Sequence, residues 1–164
     1  MLKRIVMSAL SRTKQVVVMK VYFDNAASTR VDPKVIEAME PYFTKTYGNA
    51  LSIHSYGTEA KEALEAAREK IAKSINAKPE EIIFTSGGTE SNNFALKSIA
   101  FNNKDKGKHI ITSKIEHECV LNTCRWLEQQ GFEVTYLDVD KEGFISLEQL
   151  EKAIRKETIL VSIM

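Results

Sequence analysis

Residues 81–93, EIIFTSGGTESNN, constrain the chain more than any other stretch. Ile82, Ile83 and Phe84 read as a short apolar strand. Ser86-Gly87-Gly88-Thr89 breaks it. Phe94, Leu96, Ile99 and Ala100 then carry a helical pattern. A strand, a glycine turn and a helix, in that order, are how α/β proteins present backbone N–H groups to an anion. The two glycines are expected to let the backbone approach a ligand and to adopt φ angles that other residues avoid. Thr89 is placed to cap the helix and to offer its hydroxyl.

The turn is not a nucleotide P-loop, because no lysine follows the glycines at the required spacing, and Gly87-Gly88 does not make the dinucleotide G-x-G-x-x-G pattern. A small phosphomonoester, as on a cofactor, remains. The same residues also suit a capped turn that binds nothing.

Downstream, strand and helix patterns alternate. Residues 109–112 and 132–137 read as strands, and Val120, Leu121, Cys124 and Leu127 mark a helix stopped by Gly131. Ser146-x-x-Gln149 is a capping box opening a helix through Lys156, and residues 158–164, TILVSIM, form a last apolar strand. This order predicts an α/β fold: a mostly parallel sheet with helices on both faces, and ligands outside the carboxyl ends of the strands. The chain stops where a ligand-facing loop should begin, so it is expected to be the first part of a longer domain.

Upstream, residues 21–23 read as a short strand and residues 24–29 as a small-residue loop. Asp32-Pro33 signals a helix start, with Val35, Ile36, Met39, Tyr42 and Phe43 as its apolar face and Pro41 as its kink or end. Residues 57–77 form the longest predicted helix, with Leu64, Ala67, Ile71 and Ile75 as a stripe facing a core. Residues 1–18 look foreign to the rest. Three readings compete: read-through upstream of a start at Met19, a basic acid-free transit peptide, or an added strand from Val16-Val17-Val18.

Charge removes some function classes. The net charge is +1, but Lys3, Arg4, Arg12, Lys14 and Lys20 all lie in the first twenty residues, leaving 18 basic against 22 acidic residues in the remainder. A mildly acidic body gives no case for direct nucleic-acid or membrane binding. Two cysteines, Cys119 and Cys124, make no disulfide framework, and a reducing compartment is the default expectation.

Other candidates are weaker. Residues 138–145 imitate the start of a calcium loop, but Gln149 stands at the twelfth position where a bidentate carboxylate is needed, so a solvated turn is expected and no metal site is assigned. Cys119 and Cys124 lack a second ligand pair for zinc and a base to activate either thiol, and Cys124 fits the apolar stripe. His117 follows a strand after a short loop, on the edge where the glycine turn also lies. An imidazole there suits stacking on a planar ligand or proton transfer; a helix N-terminal histidine without such a role fits the position equally well.

Six segments in order, VYFDNAAST, YGNALSIHSYG, EIIFTSGGTESNN, KHIITSKIEHECVLNTC, GFEVTYLDVD and TILVSIM, resemble the amino-terminal part of cysteine desulfurases of the NifS/IscS type. These are class V aminotransferase-like, fold-type I enzymes that use pyridoxal 5'-phosphate. The resemblance covers residues 20–164. It implies that residues 19–164 are the amino-terminal part of a pyridoxal-phosphate-dependent transferase large domain, incomplete at the carboxyl end, with residues 1–18 outside it. It implies that Gly88 and Thr89 hold the cofactor phosphate, and that His117 stacks on the pyridine ring and acts in acid/base steps. Asn25, Ala26 and Ala27 would line the substrate side. Neither Cys119 nor Cys124 matches the family's sulfur-accepting cysteine.

The implied reaction converts L-cysteine to L-alanine and leaves the sulfur as an enzyme persulfide. That sulfur goes to an acceptor protein for iron–sulfur cluster assembly or tRNA thiolation. The implied whole enzyme is a homodimer, cytoplasmic, or mitochondrial if residues 1–18 are a transit peptide. In the family the cofactor-anchoring lysine, the aspartate on the pyridine nitrogen and the nucleophilic cysteine all follow the last strand present here. The 164 residues are therefore expected not to turn over cysteine alone. Three alternatives stay open: one half of a split enzyme, a non-catalytic remnant that keeps only the phosphate site, and an enzyme resembling selenocysteine lyases.

Overall fold

The computed structural model describes residues 19–164; the three readings of residues 1–18 fall outside them. The chain forms two compact units, one ending at Ile71 and the other spanning Ala72–Met164.

The first unit is helical. Helix α1 (Pro33–Thr44) starts where the sequence places it: the Asp32 carboxylate accepts the Lys34 N–H at 2.8 Å, and Pro33 fills the first turn, where no N–H is needed. Pro41 does not stop the helix at once. Its carbonyl accepts the N–H groups of Lys45 and Thr46 at 2.8 and 2.9 Å, and α1 closes one turn later. Helix α2 (Ser55–Ser74) ends before Asn76, which adopts φ +56°, while the Ala77 N–H bonds back to the Ala72 carbonyl at 2.8 Å.

Two expectations for this unit fail. Residues 21–23 form no strand, because a strand exists only where a neighbour supplies a ladder and they pair with none of the described strands. The apolar stripes of both helices also remain exposed: Phe43 is 71 % exposed, and Val35, Ile36, Met39, Tyr42, Leu64, Ala67 and Ile71 are all exposed, as is Ile75 beyond the unit's last residue. Capping and periodicity produced the helices; no core within the described residues covers these stripes.

The second unit is an α/β layer. After a short 3-10 turn (Pro79–Glu81) come α3 (Gly88–Asn103), β1 (His109–Ser113), α4 (Glu118–Gln129), β2 (Glu133–Leu137), α5 (Leu147–Ala153) and β3 (Thr158–Ser162). The three strands are parallel in the order β2-β1-β3, with Ile110 opposite Val134 on one side and Leu160 on the other. All five residues of β1 are buried. Ile110 joins Leu96 and Ala100 of α3, Val120, Cys124 and Leu127 of α4, and Phe132 in the core. Fully burying such an aliphatic side chain contributes about 1.5–3 kcal/mol.

Gly131, at φ +84°, closes α4 as expected. Gly107 passes so close to the Glu157 carbonyl that a Cβ there would lie 2.2 Å from the oxygen, which lets β1 enter beside β3. Two expected elements change. Residues 82–84 join no strand: β1 is already paired on both edges, and the segment adds to neither outer strand. Helix α5 is capped by Ser146 Oγ, which accepts the Gln149 N–H at 3.3 Å, but it ends at Ala153 rather than Lys156. None of the described helices is long and apolar enough to cross a membrane.

Two buried polar groups on β1 behave differently. His109 bonds on both ring nitrogens, Nδ1 to Thr158 Oγ1 and Nε2 to Thr135 Oγ1, each at 2.8 Å. Burial, reinforced by the Arg155 guanidinium, holds its pKa below the ordinary 6.5. The folded state therefore favours neutral His109. Its contribution is complete above pH 6.5 and is lost as pH falls, because the unfolded chain then binds the extra proton. We expect the urea midpoint to decline from pH 7 to 5.5, with a flatter profile in His109→Gln. Thr112 Oγ1 is fully buried with no hydrogen-bond partner among the described residues. Thr112→Val should accordingly raise stability by about 1 kcal/mol in urea denaturation; a loss of that size would contradict the assignment.

Candidate functional site

Three segments converge at the carboxyl edge of the sheet within the second unit. They are the first turn of α3, the loop from β1 into α4, and the chain leaving β3. Together they line an open cleft of about 560 Å³, with Gly88, Thr89 and Asn92 from the first, Glu116, His117, Cys119 and Val120 from the second, and Ser162, Ile163 and Met164 from the third.

The glycine turn differs in detail from its sequence reading. Gly87, not Thr89, is the N-cap of α3, and no side chain caps the helix there. Neither Gly87 nor Gly88 takes a left-handed φ. What they provide is clearance, since a Cβ on either would meet no atom within 4 Å. The first N–H groups of a helix have no partner within it and carry the positive end of its dipole. The turn is shaped by its neighbours: Glu90 Oε2 accepts the Ser86 N–H at 2.6 Å, and the Thr85 and Ser91 hydroxyls lie 2.6 Å apart. The Ser86 N–H bond holds the Glu90 carboxyl below its ordinary pKa.

His117 is the N-cap of α4. Its Nδ1 accepts the Cys119 N–H at 3.1 Å, so the neutral ring carries its proton on Nε2. The side chain is exposed at the cleft. Cys119 accepts a hydrogen bond from Asn92 Nδ2 at 3.2 Å. Cys124 is fully buried in the core, and desolvation pushes its thiol up to about 11, so it stays protonated.

Asn25, Ala26 and Ala27 belong to the first unit. Their loop is held by the Tyr22 hydroxyl, which donates to the Asp24 carbonyl and lies 2.8 Å from Ser28 Oγ, and by the Ala27 N–H on the Asp24 carbonyl at 3.1 Å. The 138–145 turn is shaped by the Asp140 carboxylate, which accepts the N–H groups of Glu142 and Phe144 at 3.0 and 2.9 Å. Among the described residues no three His, Cys, Asp or Glu side chains cluster as metal ligands do.

Sequence reasoning missed Glu116, Asn92 and Asn93. Asn93 Nδ2 donates to the Thr89 carbonyl at 2.9 Å, and its Oδ1 accepts the Thr123 hydroxyl at 2.9 Å. With the Asn92–Cys119 bond, this fastens the turn-bearing end of α3 to α4. Two adjacent asparagines inside a helix, where neither has good propensity, were the available signal.

The family follows from comparison with known proteins. The aminotransferase class-V family model matches residues 21–164, and the chain belongs to that family. It is 59 % identical over 145 residues to the cysteine desulfurase IscS of Dictyoglomus turgidum, a match covering 88 % of this chain and 37 % of that protein. The chain thus spans little more than a third of the length of that relative. Among solved structures, a NifS-like protein superposes with a TM-score of 0.85 at 48 % identity, over 89 % of this chain and 40 % of that one. SspA in complex with cysteine gives 0.80 at 48 % identity, over 87 % and 41 %. The parallel sheet with its helices is the fold of these fold-type I proteins.

Asn93→Ala removes the side-chain link between the turn and Thr123, whose hydroxyl keeps the Cys119 carbonyl at 2.8 Å as its acceptor, and so loosens the turn. It should cost about 1 kcal/mol in chemical denaturation, the net worth of the lost bond, whereas no measurable loss would contradict the brace.

Proposed function

We propose that this chain is the amino-terminal portion, residues 19–164, of the large domain of a cysteine desulfurase that uses pyridoxal 5'-phosphate. The observation that carries the reading is that the glycine turn of Gly88 and Thr89 and the imidazole of His117 line one cleft at the carboxyl edge of the sheet. The clearance over Gly87 and Gly88 suits a phosphate ester, which would sit against the N–H groups of Gly88 and Thr89 with the Thr89 hydroxyl available to it.

When bound, pyridoxal phosphate supplies an electron sink for bond breaking next to the amino-acid α-carbon. This chain's own residues bind, orient and carry protons. The turn fixes the phosphate end. His117 offers the flat face of its ring and a proton on Nε2, because the Cys119 N–H occupies Nδ1. Cys124 is too buried and too firmly protonated to take up sulfur. The loop at Asn25, Ala26 and Ala27 lines the substrate side in this reading. The substrate is L-cysteine, the products are L-alanine and protein-bound persulfide sulfur, and the partners are a second copy of the chain and a sulfur-acceptor protein of the scaffold or tRNA-thiolation type. A reducing compartment, the cytoplasm, suits a thiol-based transfer.

The test is alanine formation from L-cysteine by the intact enzyme supplied with pyridoxal phosphate. We expect one alanine per sulfur transferred, and a fall in kcat of about 10²-fold or more for His117→Ala. No alanine from the wild-type enzyme, or an unchanged kcat in His117→Ala, would overturn the reading.

A further inference from the structure

Glu116 lies in the cleft, and nothing in the reaction proposed above uses it. It is 9 % exposed, and among the described residues it makes no ion pair with a basic side chain. A carboxylate in that position costs stability unless its hydrogen bonds offset the loss of water. Both bonds it receives fall on one oxygen: Oε1 accepts the Ser113 hydroxyl at 3.2 Å and the Met164 N–H at 2.6 Å.

The places it connects give it a purpose. The β1–β3 ladder ends at Thr112 opposite Ser162. Beyond that pair no ladder among the described residues holds the two segments together, yet both continue into the wall of the cleft. Ser113 is the last residue of β1, Met164 lies two residues past β3, and the residue after Glu116 is His117, the N-cap of α4. The Glu116 side chain thus continues the sheet's cohesion past its last backbone pair, at the point where the imidazole is mounted.

We propose that Glu116 is a positioning residue: its Oε1 ties the main chain leaving β3 to the β1–α4 loop and so fixes His117 relative to a ligand bound on the glycine turn. The proposal rests on the reading of the cleft as a pyridoxal-phosphate site. It requires an acceptor oxygen at this place and not a negative charge. Glutamine keeps that oxygen. Its amide nitrogen would take the place of Oε2, which no described donor contacts, so the replacement brings two donors together nowhere. Alanine leaves the Met164 N–H and the Ser113 hydroxyl without their acceptor. Aspartate is one methylene too short to reach both.

The experiment uses the intact enzyme as wild type, Glu116→Gln and Glu116→Ala, with pyridoxal phosphate as the probe. Two quantities are read: its Kd, and the circular dichroism induced in its absorption band at saturation. The induced signal reports how the bound ring is oriented against its surroundings, and a variant that is only less stable keeps it once folded and saturated. We expect Glu116→Gln to stay within twofold of wild type in both. Glu116→Ala should bind at least tenfold more weakly and lose at least half of the induced signal at saturation.

If Glu116→Ala does not fold, Ser113→Ala serves in its place. It removes one of the two bonds, and the expected result is a partial loss of the induced signal. A Glu116→Gln enzyme as impaired as Glu116→Ala would overturn the proposal, because charge and not the acceptor would then matter. A wild-type signal in Glu116→Ala, or in Ser113→Ala where that is the variant measured, would overturn it too. Wild-type enzyme that binds no pyridoxal phosphate would overturn the site reading itself, and with it this inference; the two failures are thereby distinguishable.

Discussion

The pairing of β1 along both of its edges is the constraint on which the second unit depends. A parallel strand flanked by β2 and β3 has no residue left for water, and all five of its side chains are buried. Ile110 carries the core on the side of α3 and α4. His109 is neutralised by burial and satisfied by two threonine hydroxyls from the flanking strands. Because β1 is fixed, so is its carboxyl end, and one wall of the cleft hangs from that end. Ser113 reaches Glu116, Glu116 reaches the chain past β3, and His117 opens α4.

The glycine turn is held to the same frame from the other side. Asn92 and Asn93 fasten the start of α3 to α4 through Cys119 and Thr123. The positive end of one helix and the N-cap imidazole of another are therefore presented to one cleft by a polar clamp. Hydrogen bonds of this kind are each worth only about 1 kcal/mol. Their value lies in direction, because the apolar core fixes that α3 packs on α4 and the asparagines fix how the ends meet.

Much of this was legible in the chain. The strands expected over 109–112, 132–137 and 158–164 form at 109–113, 133–137 and 158–162, because their partners lie among the described residues, and Gly131 marked the end of α4 as a left-handed glycine does. The place of His117, in the cleft beside the glycine turn, was legible from its position after a strand. Residues 21–23 and 82–84 misled, since an apolar extended pattern becomes a strand only beside a free edge, which pattern alone does not reveal. The stripes of α1 and α2 misled in a related way: capping at Asp32 and helical spacing set a helix, while burial needs a second surface. Glu116 was illegible because a glutamate in a charged loop reads as solvated. Thr89 was misassigned as the cap because Gly87, two residues earlier, is already the N-cap and the helix begins at Gly88.

The central claim is that the turn at Gly88 and Thr89 is a phosphate grip within a cofactor cleft. Comparing the affinities of pyridoxal 5'-phosphate and pyridoxal for the same protein tests it most directly, since the two differ only in the group the turn would hold. Hydrogen bonds to a charged acceptor are worth about 1.5–3 kcal/mol each, so the account predicts that the phosphate ester binds at least about tenfold more tightly, with inorganic phosphate competing. Equal affinity for the two, with no competition by phosphate, would contradict it.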